Sequence, residues 1–416
     1  MLNLVISAVS SNSGKTVFTT ALLYYFKNKV QPFKIGPDFI DPQFHKAITN
    51  RYSINLDSFI MDKEQVKWLF DRYKKEVNII EGVMGFYDGE DRGCSAYSIS
   101  NLLEIPTILL LDGSGSYITI SAVLKGMLDY KQNNIKAVVL NKISSSFHFE
   151  LIKKQLQKDH PDIVILGWIK KNLQSLQNRH LGLDLDSLDK IESISKEVLK
   201  NIDLTALYKL ETRNYTLDIK QYPFEKLPKQ NRYLAVVYDK NFSFLYYDNL
   251  QFFKEIFTKV TLIDSTKDEI IPKDCDIVYI CGGYVETQNS YNNIKNSLNF
   301  KNSLIKHAKY KPVYAECAGL LYLSNKVDDK KMSGILDIDF ILLDKRVRLG
   351  YYYNCKGLRG HAFHYTKPLE VKDGFCILSK KQNSKGEVAS WKKNKVYGTY
   401  FHTMFRNNIC LIKDYF

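Results

Sequence analysis

Pro312 to Leu323 reads PVYAECAGLLYL. Pro312, Val313, Tyr314 and Ala315 form an apolar run suited to a buried parallel strand, and Leu320, Leu321 and Leu323 continue in an apolar helical pattern. Between the two stands Cys317, followed by the small residues Ala318 and Gly319. A strand-to-helix turn of this kind needs small neighbours, because its central side chain sits on a strained connection where bulk would block both backbone and substrate. The N-terminus of the following helix favours a thiolate. The stretch therefore predicts a parallel α/β sheet with a nucleophile elbow at Cys317, although a cysteine buried in the core is an equal reading of these twelve residues alone.

Two other segments give that cysteine a context. Asp276 to Glu286 reads DIVYICGGYVE, an apolar strand ending in Gly282 and Gly283, whose backbone N–H groups suit an oxyanion hole because no Cβ obstructs them. Val396 to Phe405 reads VYGTYFHTMF and delivers His402 to a strand end. Nucleophile, oxyanion donors and base thus follow the chain order of class I glutamine amidotransferase domains, which the chain resembles from about Arg232 to its C-terminus. The resemblance implies that Cys317 attacks the glutamine side-chain amide and that His402 is its base. It also implies a third member two residues after the histidine, where this chain has Met404, so a Cys–His dyad is expected. His361 and His364, in the run GHAFHY, point to opposite faces of a regular strand and compete singly with His402; both are expected to be structural or to contact substrate.

The N-terminal half carries a second chemistry. Leu2 to Val9 is a largely apolar strand leading into SSNSGKT, Ser10 to Thr16, and then an amphipathic helix. Strand, loop and helix N-terminus together make an anion site, because unpaired N–H groups and the helix dipole converge there. Ser13 and Gly14 would cradle ATP phosphates, Lys15 would reach the β and γ phosphates, and Thr16 would hold Mg²⁺. The first glycine of the usual phosphate-loop pattern is Val9 here, so the position directly after the first strand carries the assignment. Phe33 to His45, FKIGPDFIDPQFH, places Asp38 and Asp41 in a loop shaped by Pro37 and Pro42, with Lys34 as a second cation for phosphate. Taken singly, either aspartate reads as a turn cap. Val77 to Gly89, VNIIEGVMGFYDG, is an apolar strand ending in Glu81, where a Mg²⁺-organising carboxylate belongs in a parallel sheet.

The GPDFIDP, EGVMGFYDG and GHAFHY segments together resemble the cobyrinic acid a,c-diamide synthases, with dethiobiotin synthetases as more distant relatives. This resemblance covers nearly the whole chain. It implies Asp57, in INLDSFIM, as a further Mg²⁺ contact, Asn141 as a purine-reading residue, and Ser114 and Ser116 on the tetrapyrrole side. It assigns Asp38 and Asp41 to orienting the substrate and to stabilising incoming ammonium or metal. Arg179, His180 and Gly182 fall in a stretch that echoes the family's RHLGL run. The implied reaction is ATP-dependent amidation of two tetrapyrrole carboxylates through acyl phosphates, with glutamine as nitrogen donor and Mg²⁺ as the metal. A nickel-sirohydrochlorin a,c-diamide synthase shares these motifs, a cobyric acid synthase is a third reading, and a P-loop regulatory or partitioning protein is the reading from another class.

Size agrees with a two-part chain. At 416 residues it exceeds one ordinary core, and a P-loop synthetase domain over 1–205, a linker over 206–231 and an amidotransferase domain of flavodoxin-like type over 232–416 are expected. The formal charge of +14 comes from scattered lysines, with no nucleic-acid module, so no nucleic-acid partner is expected. No apolar run approaches the roughly 20 residues that span a bilayer, and the N-terminus enters a strand directly; a cytoplasmic monomer or homodimer is expected. Seven cysteines without a CxxC pair predict reduced thiols.

Overall fold

The computed structural model describes residues 1–173, 188–210, 215–219, 221–371 and 374–416. It divides into two compact units, one of Met1–Ser58 with Asp62–Pro223 and one of Phe59–Met61 with Phe224–Phe416. Arg179, His180 and Gly182 lie outside the described residues.

Among the described residues the first unit has seven strands: β1 (Leu2–Ala8), β2 (Val30–Ile35), β3 (Ile54–Leu56), β4 (Val77–Glu81), β5 (Thr107–Asp112), β6 (Ile135–Ile143) and β7 (Val164–Lys170). Their order is β3-β2-β4-β1-β5-β6-β7 and every pairing is parallel. A parallel sheet is covered on both faces, which is why β1 and β4 read as apolar runs and are buried throughout. Helix α1 (Lys15–Tyr25) follows β1 directly and buries Phe18, Ala21 and Leu22 on the sheet. Since β1 has β4 on one side and β5 on the other, the loop between β1 and α1 stands where the strand order reverses, the usual place for a ligand in such sheets.

In the second unit the strands are β8 (Gln230–Val237), β9 (Phe257–Ile263), β10 (Ile277–Ile280), β11 (Val313–Glu316), β12 (Lys326–Val327), β13 (Lys330–Lys331), β14 (Asp339–Leu342), β15 (Arg348–Asn354), β16 (Arg359–His364), β17 (Thr366–Pro368), β18 (Gly374–Ser379), β19 (Glu387–Lys393) and β20 (Val396–Thr399). Nine of them form one sheet, β16-β15-β18-β19-β20-β11-β10-β8-β9, parallel from β9 to β20 and antiparallel beyond it. β13, β12, β14 and β17 make a small separate sheet. The α/β architecture expected for both halves is therefore what forms.

One expectation changes. The thiols are not all reduced: Cys355 and Cys376 form a disulfide. Cys355 directly follows β15, whose Asn354 pairs with Leu378 of β18, so the antiparallel register brings the two cysteines face to face with Cα atoms 5.5 Å apart. A separation of 21 residues gave no sign of that pairing.

Candidate active sites

In the first unit the loop after β1 is shaped by Gly14, which caps α1 at φ +93°, a conformation that favours glycine. Asn141 closes around it: its Nδ2 donates to Ser13 O at 2.9 Å, and a Cβ on Gly14 would meet that nitrogen at 2.3 Å. Asn141 thus braces the loop itself. The Lys15 ammonium donates to Ser10 O at 3.2 Å and to Met84 O, and is held below its ordinary value by burial and by Lys34.

Thr16 and Glu81 meet as their strand and helix ends suggest, with Thr16 Oγ1 donating to Glu81 Oε1 at 2.8 Å. The other carboxylate oxygen lies 2.8 Å from His45 Nε2, and His45 Nδ1 lies 3.0 Å from Ser53 Oγ. His45 is a part of this site that the sequence reading passed over, although its place one helical turn after Asp41 was visible. Lys34 sits at the centre of a carboxylate cage: 2.5 Å from Asp41 Oδ2, 3.6 Å from Asp38 Oδ2 and 3.7 Å from Glu81 Oε1, with Gly82 O at 3.1 Å. Burial would push its ammonium down, but Asp41, Glu81 and Asp38 together hold it well above its ordinary value. Asp38 is pushed up to about 6 by burial, reinforced by Asp41, while Lys34 outweighs burial at Asp41 and holds that carboxyl low. Asp38 also caps helix α2 (Asp41–Thr49), its Oδ1 accepting from Ile40 N at 2.7 Å and Asp41 N at 3.2 Å. The reading of Asp38 as a turn cap is realised on Oδ1, while Oδ2 faces Lys34.

These residues suit Mg²⁺ and a nucleotide phosphate. Thr16 and Glu81 present two hard oxygens side by side at a helix N-terminus, and Mg²⁺ commonly takes only one or two protein oxygens, the rest coming from phosphate and water. No cluster of three His, Cys, Asp or Glu ligands occurs among the described residues. Asp57 is fully buried just past the end of β3, with β2 between its strand and that of Glu81.

The second unit collects its residues at the ends of three adjacent parallel strands, β10, β11 and β20. Cys317 follows β11 at φ +45°, the strained turn its neighbours predict. Gly319 is required there, since a Cβ on it would come within 2.8 Å of Ile280 O. Burial pushes the Cys317 thiol well above its ordinary value, and the buried Glu286 adds to this; the Ala318 and Gly283 backbone N–H groups act in the opposite sense. Those two amides are the ones that could serve as oxyanion donors in this geometry, Ala318 being one that sequence reasoning did not name. Gly282 has a different use: a Cβ there would stand 2.4 Å from His402 Cε1. Gly283, at φ +148°, approaches the Asn241 backbone so closely that a Cβ would overlap its carbonyl oxygen, at 1.9 Å.

His402 is 1% exposed and its Nδ1 lies 2.8 Å from Glu316 Oε2. His361 pairs with it backbone to backbone, while His364 stacks on Tyr400 at 3.6 Å between ring centroids and bonds to Thr366 O. Burial pushes both of these imidazoles down to about 3, helped at His361 by His402 and at His364 by Arg348. Both are neutral rings built into the sheet.

A stability test follows from those two values. Unfolded, each imidazole takes a proton near its ordinary value of 6.5; folded, it does so only near 3. The unfolded chain therefore binds more protons between those limits, so stability is complete above about pH 6.5 and falls as the pH drops towards 3. By pH 5 the expected loss is about 2 kcal/mol for each histidine. Urea midpoints measured from pH 7.5 to 5 should decline accordingly; a flat series would show that water reaches both rings.

Comparison with known proteins finds a family match for each half of the chain. The CobB/CobQ-like glutamine amidotransferase domain matches residues 233–409, and the CobQ/CobB/MinD/ParA nucleotide binding domain matches residues 4–183. The chain is 34% identical to the cobyrinate a,c-diamide synthase of Fusobacterium nucleatum, covering 99% of both chains. It is 33% identical to that of Methanocaldococcus jannaschii, over 90% of this chain and 88% of the relative, and 34% identical to that of Saccharolobus solfataricus over 98% of each. A nucleotide-binding half and an amidotransferase half in this order, aligned almost end to end with these relatives, place the chain in the cobyrinate a,c-diamide synthase family.

Proposed function

We propose that the protein amidates the a and c carboxylates of cobyrinic acid, using ATP to activate each carboxylate and glutamine as the source of ammonia. The observation that carries this is that one chain holds both a strained, buried Cys317 facing two backbone N–H donors and a phosphate loop whose Thr16 meets Glu81. A carboxylate is a poor acyl donor, so it must first acquire a leaving group. Lys15 and the α1 N-terminus hold the triphosphate in line, and a substrate carboxylate oxygen attacks the γ phosphorus, releasing ADP and leaving an acyl phosphate. Mg²⁺, held by Thr16 and Glu81, neutralises phosphate charge when bound. The cage of Asp38 and Asp41 around Lys34 orients the substrate and receives the ammonium side of the exchange. Ammonia then adds to the acyl carbon and phosphate leaves.

Ammonia comes from the second unit. His402 takes the Cys317 proton as the sulfur bonds to the amide carbon of glutamine, and the carbonyl electron pair moves to an oxygen held by the Gly283 and Ala318 N–H groups. When that oxygen re-forms its double bond, the C–N bond breaks and the departing nitrogen takes the proton from His402. Water then hydrolyses the thioester to glutamate. Burial favours the neutral thiol of Cys317 over the thiolate, which suits a proton transfer that accompanies the attack on glutamine. With ATP and glutamine as co-substrates, the reaction belongs in the cytoplasm.

Mass spectrometry of cobyrinic acid incubated with protein, ATP, Mg²⁺ and glutamine tests the reading. Two successive carboxylate-to-amide changes that stop there are expected. Further amidation would favour a cobyric acid synthase. Reaction only with nickel-sirohydrochlorin in a parallel tube would keep the mechanism and change the substrate.

A further inference from the structure

The carboxylate beside His402 has no place in the expected catalytic set. Glu316 is the last residue of β11, immediately before Cys317, rather than two residues after the histidine where Met404 stands. Its Oε2 lies 2.8 Å from His402 Nδ1, and the two residues are 2% and 1% exposed. Its other oxygen, Oε1, is buried without a well-formed hydrogen bond, and the buried Tyr279 hydroxyl of β10 also acts on this carboxylate. As a purely structural contact this arrangement is poor, because burying an incompletely bonded carboxylate carries a desolvation cost that an apolar residue would avoid. The cost makes sense if the charge acts on the imidazole.

Two further features fix the ring for that use. Gly282 leaves no room for a Cβ on the Cε1 side of His402, so the imidazole is seated closely against the β10 turn. The His361 and His402 backbones exchange two hydrogen bonds of 2.8 Å, which hold the His402 main chain to β16. With the ring seated and Nδ1 committed to Glu316, Nε2 is the nitrogen left to accept a proton. We propose that Glu316 is the positioning residue that completes a Cys317–His402–Glu316 triad, accepting the Nδ1–H bond of His402, fixing the tautomer that carries its proton on Nδ1, and stabilising the imidazolium formed when the Cys317 proton arrives. This rests on the reading of Cys317 and His402 as nucleophile and base.

Glu316 is the carboxylate that contacts the His402 ring, and the Tyr279 hydroxyl faces Glu316 from β10. Glu316 and Cys317 face it from β11 and the turn after it, and His361 and His364 from β16. Both of those histidines stay neutral over any assay range. Glu316 itself is pushed up by burial and pulled back by the hydrogen bond and charge of His402.

The test is Glu316→Gln, which keeps the shape and removes the charge. Glutamine hydrolysis should fall about 100- to 10,000-fold in kcat with KM changed by no more than a few fold, the size seen when a triad carboxylate is neutralised. The acid limb of its pH profile should move to lower pH, Glu316→Asp should recover part of the loss, and amidation driven by ammonium chloride should persist. A kcat within threefold of the parent with an unmoved acid limb overturns the proposal. So does an equal loss with both nitrogen donors, which would make Glu316 a support of the fold. Should the variant not fold, ¹⁵N-histidine spectra of the unaltered protein decide: a hydrogen-bonded Nδ1–H and bare Nε2 at His402 are expected, and an Nε2–H tautomer refutes the triad. Cys317→Ala run in parallel separates the two levels. If it still hydrolyses glutamine, the underlying reading fails; if it is dead while Glu316→Gln is active, only the triad fails.

Discussion

Cys317→Ala should lower glutamine-supported amidation by about four orders of magnitude, while high ammonium chloride still supports the synthetase reaction. The effect is large because the other cysteines of the second unit are placed elsewhere: Cys275 and Cys281 are buried at either end of β10, Cys410 stands near the C-terminus, burial pushes all three thiols up, and Cys355 and Cys376 are tied in a disulfide. Alanine suits the site sterically, since the turn already accepts small residues at Ala318 and Gly319 and the side chain removed is only a buried sulfur. The fold should survive, and rates with the two nitrogen donors, measured side by side, carry the answer. Loss of both would make Cys317 a structural cysteine, the reading that its own stretch of sequence leaves open.

The complementary change is Glu81→Gln. Amidation should fall about a thousandfold or more with either donor, and glutamine hydrolysis should remain measurable. Glu81 is fully buried and touches three partners at once: Thr16 through Oε1, His45 through Oε2, and Lys34 at 3.7 Å. Glutamine keeps the volume but replaces one acceptor oxygen by an amide donor, which then faces either His45 Nε2 or the Thr16 hydroxyl and Lys34 ammonium together. It also removes the charge that would help to hold Mg²⁺. ATP consumption and amide formation, followed as Mg²⁺ is raised, measure the loss. Activity within tenfold of the parent at ordinary Mg²⁺ would remove Glu81 from the site.

Much of this was legible because strand ends announce themselves in a parallel sheet. Glu81 stood out as a charge closing an apolar strand, and Cys317, Gly283 and His402 each follow a short apolar run. Glu316 closes β11 in the same manner as Glu81 closes β4, yet it was hidden by its neighbour, since the cysteine accounts for the segment without it. Two kinds of information were out of reach. One is pairing across strands: the Cys355–Cys376 bond and the seating of His402 against Gly282 depend on register that no local pattern encodes. The other is the direction a polar side chain takes. Lys34 reads as a second phosphate cation but lies within three carboxylates, and Asn141 reads as a base contact but bonds to the loop through Ser13. Composition and periodicity say which faces are buried, not which partner a buried charge selects.

The strand order of the second unit has a consequence for how that unit comes together. β11 and β20 are neighbours in the sheet, yet the chain between them makes the small sheet and the whole antiparallel extension before it returns. Closing that excursion of about 80 residues is a non-local event, slow in comparison with the pairing of β10 and β11. His402 is therefore brought beside the Cys317 elbow by the slower, non-local step, and the two residues of the proposed dyad are joined only when the last parallel strand pairs.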